Sequence, residues 1–295
     1  MKAMVLAAGM GTRLKPLTDD KPKCLMPLAG RPLIDWTLSW LKGHGITECV
    51  INLHYLPDMV KAFVGDGSQH GMKVRYSYET ELLGTAGAVK KVEDFFADGP
   101  FYIIYADNFS QWDMEKLRDV YEGREGKNRE TLDVRREGQK DSKTKNVKSE
   151  EQKAKMLRLT SNVSHLTPLP RNDACVVMAV HWREDVTQSG MIEMDEDDRI
   201  VRIVEKPKPE DVTSHFVNAG FLYMDPKVLQ YIPEGVPWDF SYQVFPEMLE
   251  AGERLYAVKM DEPIIGIDNI EAYEQAEKYA QELERVRSEE KEVRR

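Results

Sequence analysis

The sequence predicts an α/β protein with a Rossmann-like sheet, mixed but mostly parallel, and helices on its faces. Over about the first 120 residues, short apolar runs alternate with amphipathic stretches, as βαβ units require. The apolar runs are rich in β-branched and aromatic residues, which favour strands. With 295 residues, 41% of them hydrophobic, the chain can bury a sizeable core. We therefore expect a single domain over residues 1–295.

Four strands are expected in the N-terminal part of the chain, at residues 2–8, 48–55, 73–79 and 101–107. Between and after them lie three helical stretches, PLIDWTLSWLKGHG, TAGAVKKVEDFF and DMEKLRDVYEG. In open α/β sheets, ligands bind at the carboxyl ends of the strands. That rule makes Gly9, Glu79 and Asp107 the first candidates for a functional site.

The C-terminal part resumes the pattern after a long interruption. We expect a strand at 174–182, a hairpin within GMIEMDEDDRIVRIVEKP, a strand at 216–224 and a final helix over about 270–290. The interruption itself, at 124–171, is predicted to be a charged, disordered insertion. From Arg124 to Arg158 the chain has twelve Lys or Arg residues and seven Asp or Glu residues. No aromatic residue occurs between Tyr121 and Trp182, so this composition is too polar to bury a core.

Charge and composition exclude several classes of function. A net charge of -10 argues against a nucleic-acid partner, because such proteins carry a basic stripe that displaces counterions. No apolar run approaches membrane-spanning length and no leader precedes MKAMVLAAG, so we expect a cytoplasmic protein without a membrane partner. The three cysteines form no CxxC pair, which argues against a zinc site and a disulfide framework. A homo-oligomer stays open.

The opening LAAGMGTRLKPLTDDKPKCLMP suggests a phosphate site. Gly9 and Gly11 follow a predicted strand, where the backbone must turn tightly and approach a ligand closely. A Rossmann fingerprint needs a third glycine where Leu14 stands, and no GK[ST] follows for a P-loop. Arg13 and Lys23 could converge on a polyphosphate. The alternative is a turn with solvated basic residues.

Further motifs follow in order: ETELLGTAGA, YADN, EKP and NAGFLYM. Together with the opening they resemble the sugar-phosphate nucleotidyltransferases, and LGTAGA and NLHYLP are most similar to the guanylyltransferases of mannose 1-phosphate or heptose 1-phosphate. The resemblance implies the nucleotide-diphospho-sugar transferase fold and transfer of a nucleotidyl group from an NTP to a sugar 1-phosphate. Two alternatives stay open. One is a uridylyl-, thymidylyl- or cytidylyltransferase, and the other is a non-catalytic nucleotide-sugar-binding regulatory subunit.

The resemblance also assigns residues to the nucleotide side. Arg13 would clamp the triphosphate and the leaving pyrophosphate, and Lys23 would neutralise charge between the two substrates. With Asp107 they form the expected catalytic set. The expected nucleotide-binding residues lie in the two glycine-containing stretches: Leu6, Ala8, Gly9, Gly11, Thr12, Glu79, Gly84 and Thr85.

Glu79 carries the expected preference for GTP. Guanine presents two adjacent N–H donors, which one carboxylate can accept, whereas uracil presents one donor between two acceptors. A carboxylate at this position therefore favours guanine. Glu81 is close enough in sequence to compete for the role, and a strand-end carboxylate in solvent is the simpler alternative.

A magnesium ion is the expected cofactor. Asp107 ends an apolar strand, where a carboxylate is costly to bury unless it meets a cation, and Mg²⁺ commonly takes one or two carboxylates plus phosphates and water. The second metal aspartate of the resembled family aligns with Gly266, but Asp268 lies two residues later and would share a face with it in an extended segment. Asp268 could instead cap the final helix.

The resemblance places the sugar phosphate near the EKP and NAGF motifs. Glu205 would bind sugar hydroxyls, and Lys206 would bind the sugar phosphate. Asn218 can both donate and accept hydrogen bonds, as recognition of hydroxyl groups requires. The alternative for Glu205 and Lys206 is a charged turn before Pro207, and the alternative for Asn218 is a residue that orders a turn.

Overall fold

The fold is described from a computed structural model, which covers residues 1–124 and 173–293. The insertion predicted at 124–171 lies outside the described residues except for Arg124. Nine strands form the main sheet of the described part: β1 (Lys2–Leu6), β2 (Glu48–Leu53), β3 (Lys73–Tyr78), β4 (Phe101–Tyr105), β5 (Ala174–Trp182), β6 (Gly190–Met194), β7 (Ile200–Glu205), β8 (Phe216–Met224) and β9 (Arg254–Lys259).

The sheet is parallel in its N-terminal half and mixed in its C-terminal half. Along the sheet the strands run in the order β7, β6, β8, β4, β1, β2, β3, with β5 and β9 branching from β8. β4, β1, β2 and β3 are all parallel. β8 is antiparallel to β4, β5 and β6, and β9 is parallel to β5. The predicted α/β class and the mixed, helix-flanked sheet are confirmed.

Both faces of the sheet are buried, because consecutive strand residues point into two different cores. Ala3 and Val5 of β1 pack into one core and Met4 into the other. Tyr102 and Ile104 of β4 alternate with Phe101 and Ile103 in the same way. The near-continuous apolar runs of the sequence therefore reflect strands that are covered on both sides.

Seven α-helices accompany these strands in the described part of the chain: α1 (Leu33–Gly43), α2 (Pro57–Val64), α3 (Gly84–Lys90), α4 (Glu93–Phe96), α5 (Glu115–Tyr121), α6 (Phe245–Glu250) and α7 (Ile270–Val293). The stretch expected to form one helix, TAGAVKKVEDFF, is divided between α3 and α4. In residues 1–124 and 173–293, no helix is both long enough and apolar enough to cross a bilayer.

The end of the chain returns to the N-terminal half. Ile265–Gly266 pairs antiparallel with Asn108–Phe109, the segment that directly follows β4. α7 then packs against α1 through a separate core in which Ala276 and Ala280 meet Trp36. This return brings residues near 268 to the carboxyl end of β4, where the functional candidates lie.

Candidate active site

The glycine-rich turn after β1 is held in place by its own loop. Gly11 adopts a left-handed conformation with φ of 62°, and a Cβ there would lie 3.1 Å from the Thr18 methyl group. The buried Thr18 hydroxyl donates to the Gly11 carbonyl at 2.8 Å. Gly11 therefore meets both requirements that favour glycine, a positive φ and a close approach.

Four of the predicted residues meet at the carboxyl end of β4. The Lys23 ammonium donates to Asp107 Oδ2 at 2.8 Å and to Asp268 Oδ1 at 3.2 Å. Arg13 Nη2 donates to the same Asp268 oxygen at 2.9 Å. The Lys23 side chain is only 10% exposed, whereas both carboxylates are about two-fifths exposed. Two cations and two carboxylates thus share one half-open site.

Asp268 reaches this site because of the short strand pairing beside it. The Ile267 amide donates to the Asp107 carbonyl at 2.9 Å, which fixes the two segments side by side. The start of α7 is capped by Asn269, whose Oδ1 accepts from the Ala272 amide at 2.8 Å. Asp268 is therefore free of the capping role that the sequence left open, and its carboxylate faces Lys23.

Glu79 has a different environment from the one expected. It is 1% exposed, Oε1 accepts from Asn52 Nδ2 at 2.8 Å, and Oε2 accepts from the Leu83 amide at 2.9 Å. Asn52 Oδ1 in turn accepts from the Ala7 amide at 2.7 Å. This rules out the alternative of a strand-end carboxylate in solvent: Glu79 is a buried acceptor that ties β1, β2 and Leu83, the residue before α3, together. Its role towards a base stays a prediction.

We expect Glu79→Gln to destabilise the protein. A glutamine at this position supplies one acceptor and one NH₂ donor, so a donor would face either Asn52 Nδ2 or the Leu83 amide. An unsatisfied buried pair of this kind costs roughly 1–3 kcal/mol in the free energy of unfolding. Urea denaturation measures the loss, with Glu81→Gln as the exposed control. An unchanged midpoint together with an altered nucleotide preference would instead support base recognition by Glu79.

The start of α3, within the LGTAGA motif, is held by a segment that lies far away in sequence. The Thr85 amide and hydroxyl both donate to Asp239 Oδ1, at 3.1 and 2.9 Å. Gly84 has φ of 71°, and a Cβ there would lie 2.6 Å from the Trp238 carbonyl. Gly84 and Thr85 therefore pack tightly at the start of α3. Leu6 ends β1, and Ala8, Gly9 and Thr12 lie in the turn that follows it.

A cavity of about 440 Å³ joins the metal candidates to the sugar candidates. Asp107 and Asp268 line one part of it, and Glu205 and Asn218 line another. Burial raises the pKa of Glu205, an effect that Lys206 opposes. Lys206 itself is exposed at the rim and is not among the lining residues. Residues from both halves of the chain thus enclose one polar cavity.

Comparison with known proteins shows the family of the chain. The family model described as "Nucleotidyl transferase" matches residues 2–143 and 138–280. The chain belongs to the nucleotidyl transferase family.

Two curated relatives act on different substrates. A UTP–glucose-1-phosphate uridylyltransferase of Synechocystis sp. is 27% identical over 94% of this chain and 62% of the relative. A probable mannose-1-phosphate guanylyltransferase of Oryza sativa is 30% identical over 88% of this chain and 58% of the relative. The chain thus spans about three-fifths of the length of the curated relatives it matches.

Solved structures share the fold. One from Bacillus anthracis, described as a glucose-1-phosphate thymidylyltransferase in complex with a sucrose, superposes with a TM-score of 0.69 at 21% identity, covering 95% of each chain. This similarity confirms the nucleotide-diphospho-sugar transferase fold.

The sequence analysis assigned no role to several polar residues of this chain. Asn52 begins the NLHYLP stretch and Asp239 lies outside the quoted motifs, and each anchors a predicted nucleotide-binding segment. His181 and Arg183, at and just past the end of β5, line the cavity. The strand-end rule could have found Asn52, because it lies near the carboxyl end of β2. No comparable signal marked the other three residues.

We expect His181 to make the stability of the protein dependent on pH. Burial, reinforced by the neighbouring Arg183, lowers the pKa of His181 from 6.5 to about 4. The unfolded chain therefore binds a proton that the folded chain excludes, and stability is lost as the pH falls from 6.5 through 4. We expect His181→Gln to lose less stability than the wild type over this range.

Urea midpoints between about pH 7 and pH 4.5 measure the pH dependence. His215→Gln, which removes an exposed histidine of the neighbouring strand region, is the control. An equal loss in wild type and His181→Gln would contradict the assignment to His181.

Proposed function

We propose that the chain transfers a nucleotidyl group from an NTP to a sugar 1-phosphate, giving a nucleotide sugar and pyrophosphate. The observation that carries the proposal is the meeting of Lys23, Asp107 and Asp268 at the edge of one polar cavity. The same cavity reaches Glu205 and Asn218, the predicted sugar residues. A triphosphate at the glycine turn and a sugar phosphate in the cavity would then meet at Lys23.

The reaction requires the protein mainly to align two anions, the NTP and the sugar 1-phosphate, and to neutralise their charge. A phosphate oxygen of the sugar 1-phosphate attacks the α-phosphorus and forms a new P–O bond. The bond from the α-phosphorus to the bridging oxygen breaks, and pyrophosphate leaves with that electron pair. Lys23, largely buried, is suited to neutralise charge between the substrates, and Arg13, 70% exposed, is suited to hold the outer phosphates.

The residues present fit a magnesium ion. Asp107 and Asp268 place two carboxylates around one ammonium group, and hard oxygen ligands of this kind suit Mg²⁺ when substrate phosphates and water complete the coordination. Among the described residues, no group of three or more His, Cys, Asp or Glu side chains forms a fuller metal site. When bound, Mg²⁺ would neutralise phosphate charge and polarise the reacting phosphoryl group.

For the substrates, we propose GTP and mannose 1-phosphate. The support is the 30% identity to a probable mannose-1-phosphate guanylyltransferase over 88% of this chain. The second candidate pair is UTP and glucose 1-phosphate, supported by 27% identity to the Synechocystis uridylyltransferase over 94% of the chain. The buried position of Glu79 weakens the argument for guanine that rested on that residue alone.

A substrate screen tests the proposal. The protein is incubated with Mg²⁺ and each pairing of GTP, UTP, dTTP or CTP with mannose 1-phosphate, glucose 1-phosphate or other sugar 1-phosphates, and pyrophosphate release is measured. We expect GTP with mannose 1-phosphate to give the highest kcat/KM. The highest value with UTP and glucose 1-phosphate would support the second candidate. Binding of a nucleotide sugar without pyrophosphate release from any pairing would reject catalysis in favour of a regulatory subunit.

A further inference from the structure

Arg183 lies at the end of the cavity remote from the carboxyl end of β4. Gly220 of β8 lies against Asn108, next to Asp107. At the other end of β8, His215 directly precedes the strand, and its carbonyl accepts from the Arg183 amide at 2.8 Å. At about 3.3 Å per extended residue, the segment from Gly220 back to His215 spans at most roughly 17 Å, and the irregularity of β8 between Asn218 and Leu222 shortens that span. Arg183 therefore belongs to the far wall of the cavity.

The Arg183 guanidinium hydrogen-bonds to a neutral partner, and its charge also helps to lower the pKa of the nearby, exposed Asp185 carboxyl. Its Nη1 donates to Ser189 Oγ at 2.8 Å, and Ser189 also lines the cavity. Over residues 1–124 and 173–293, no carboxylate lies within ion-pair distance of it. Asp185, two residues away, uses its Oδ1 to accept from the Thr187 amide and hydroxyl. Arginine in a cavity with only a hydroxyl partner keeps most of its five donors available for an anion.

The other charges of the cavity do not neutralise Arg183. Asp107 and Asp268 are already paired with Lys23 at the opposite end. The Glu205 carboxylate packs against Gly190, because a Cβ added to Gly190 would lie 2.6 Å from Glu205 Oε2. Glu205 forms no ion pair with Arg183. The lowered pKa of His181 keeps that neighbouring ring neutral, so it offers no competing positive charge near neutral pH. The far wall therefore presents a cation that pairs with no carboxylate of the cavity lining, and the exposed Asp185 is its charged neighbour outside that lining.

Trp182 supplies an apolar surface beside this cation. Its side chain lines the cavity and is 59% exposed, and its ring stacks on His215 with centroids 5.6 Å apart. An exposed aromatic ring next to an arginine suits a sugar ring that carries a negative charge, because the ring covers the apolar face while the guanidinium binds the charge.

We propose that Arg183 is a specificity determinant for sugar 1-phosphates that carry a second anionic group, a carboxylate or a phosphate, on the part of the sugar far from C1. This inference rests on the proposed nucleotidyl transfer and deepens it. With the 1-phosphate at Lys23 and Asp107, the distal substituent points along the cavity towards Arg183. A bidentate pair with that substituent would improve kcat/KM by roughly ten- to hundredfold over a neutral sugar.

The test compares glucose 1-phosphate, glucuronic acid 1-phosphate and glucose 1,6-bisphosphate with the NTP that the substrate screen selects. We expect the wild type to favour at least one of the two doubly anionic substrates in kcat/KM, and the identity of that substrate distinguishes a carboxylate from a phosphate. Arg183→Gln should lower kcat/KM for that substrate about tenfold or more beyond its effect on glucose 1-phosphate. Arg183→Lys should recover part of the preference because it keeps the charge.

Arg202→Gln is the matched control. Arg202 is an exposed arginine on β7 that pairs with Glu193 and does not line the cavity, so its loss should leave the substrate preference unchanged. An equal loss of kcat/KM for all three sugar phosphates in Arg183→Gln would overturn the proposal, because Arg183 would then serve the 1-phosphate. The absence of any wild-type preference for a doubly anionic substrate would also overturn it.

A binding measurement separates failure of this proposal from failure of nucleotidyl transfer. Glucuronic acid 1-phosphate and glucose 1,6-bisphosphate should each be compared with glucose 1-phosphate for the rise in Tm that they cause. A larger rise that disappears in Arg183→Gln supports the role of Arg183 even if no pairing releases pyrophosphate. Turnover without any preference that depends on Arg183 leaves the transfer reaction standing and rejects the Arg183 inference.

Discussion

Asp107→Asn is expected to lower the rate of pyrophosphate release about a hundred- to thousandfold. Asparagine keeps the shape of the side chain and one acceptor oxygen, but it loses the negative charge. In the structure that charge pairs with the Lys23 ammonium at 2.8 Å while two-fifths of the carboxylate stays open to the cavity. A group that both orients Lys23 and offers an oxygen to a cation is expected to matter most when the phosphates react.

The effect should appear chiefly in kcat, because charge neutralisation is needed most in the transition state. Asp113→Asn is the matched control: it removes a carboxylate six residues further along the same connection, where its Oδ1 accepts from the Glu115 amide at the start of α5. Thermal unfolding of both variants shows whether the fold is kept. A variant Asp107→Asn that folds and retains more than about a tenth of the wild-type rate would contradict the catalytic role of Asp107.

The N-terminal half of the fold could be predicted because its signals are local. The four strands β1, β2, β3 and β4 begin at the predicted residues and end within two residues of the predicted ends. The possible convergence of Arg13 and Lys23 followed from two cations in the segment directly after the glycine turn, which are suited to one polyphosphate. These features depend on neighbouring residues, which a sequence displays directly.

Features that depend on contacts between distant segments could not be predicted in the same way. Glu79 looked available to a base because its burial depends on Asn52, 27 residues earlier, and on the return of the Leu83 amide. Arg183 gave no signal because its position in the cavity follows from the pairing of β5 with β8. A single sequence shows which groups are present, but it does not show which of them remain unpaired after folding.

Asp268 carries the second large expected effect. We expect Asp268→Asn to lower the rate of pyrophosphate release about ten- to hundredfold, because its Oδ1 accepts from both Arg13 and Lys23. Loss of that charge should leave both cations less well placed for the phosphates. Asp261→Asn, a change of an exposed aspartate before the short strand Ile265–Gly266, is the control. A rate within about twofold of wild type would contradict a catalytic role for Asp268.

Gly266 offers a sharper test of why the aspartate stands at 268. A Cβ on Gly266 would lie 3.5 Å from Asp268 Oδ2 and 3.2 Å from Asn108 Oδ1, and its φ is not in the left-handed region. A carboxylate introduced there would thus reach nearly the same place, provided that Asn108 shifts by a few tenths of an ångström. We expect the double variant Gly266→Asp, Asp268→Asn to release pyrophosphate at least about tenfold faster than Asp268→Asn alone.

Recovery by Gly266→Asp would mean that the site requires a carboxylate at this place in space and that two positions of one extended segment can supply it. The geometry favours this interpretation, because residues two apart in an extended segment share a face, and the pairing of Ile265–Gly266 with Asn108–Phe109 turns that face towards Asp107. If the double variant folds but stays as slow as Asp268→Asn, the function depends on the contact of Asp268 with Arg13. Position 268 would then be part of the clamp on the outer phosphates and not a replacement for a metal aspartate at 266.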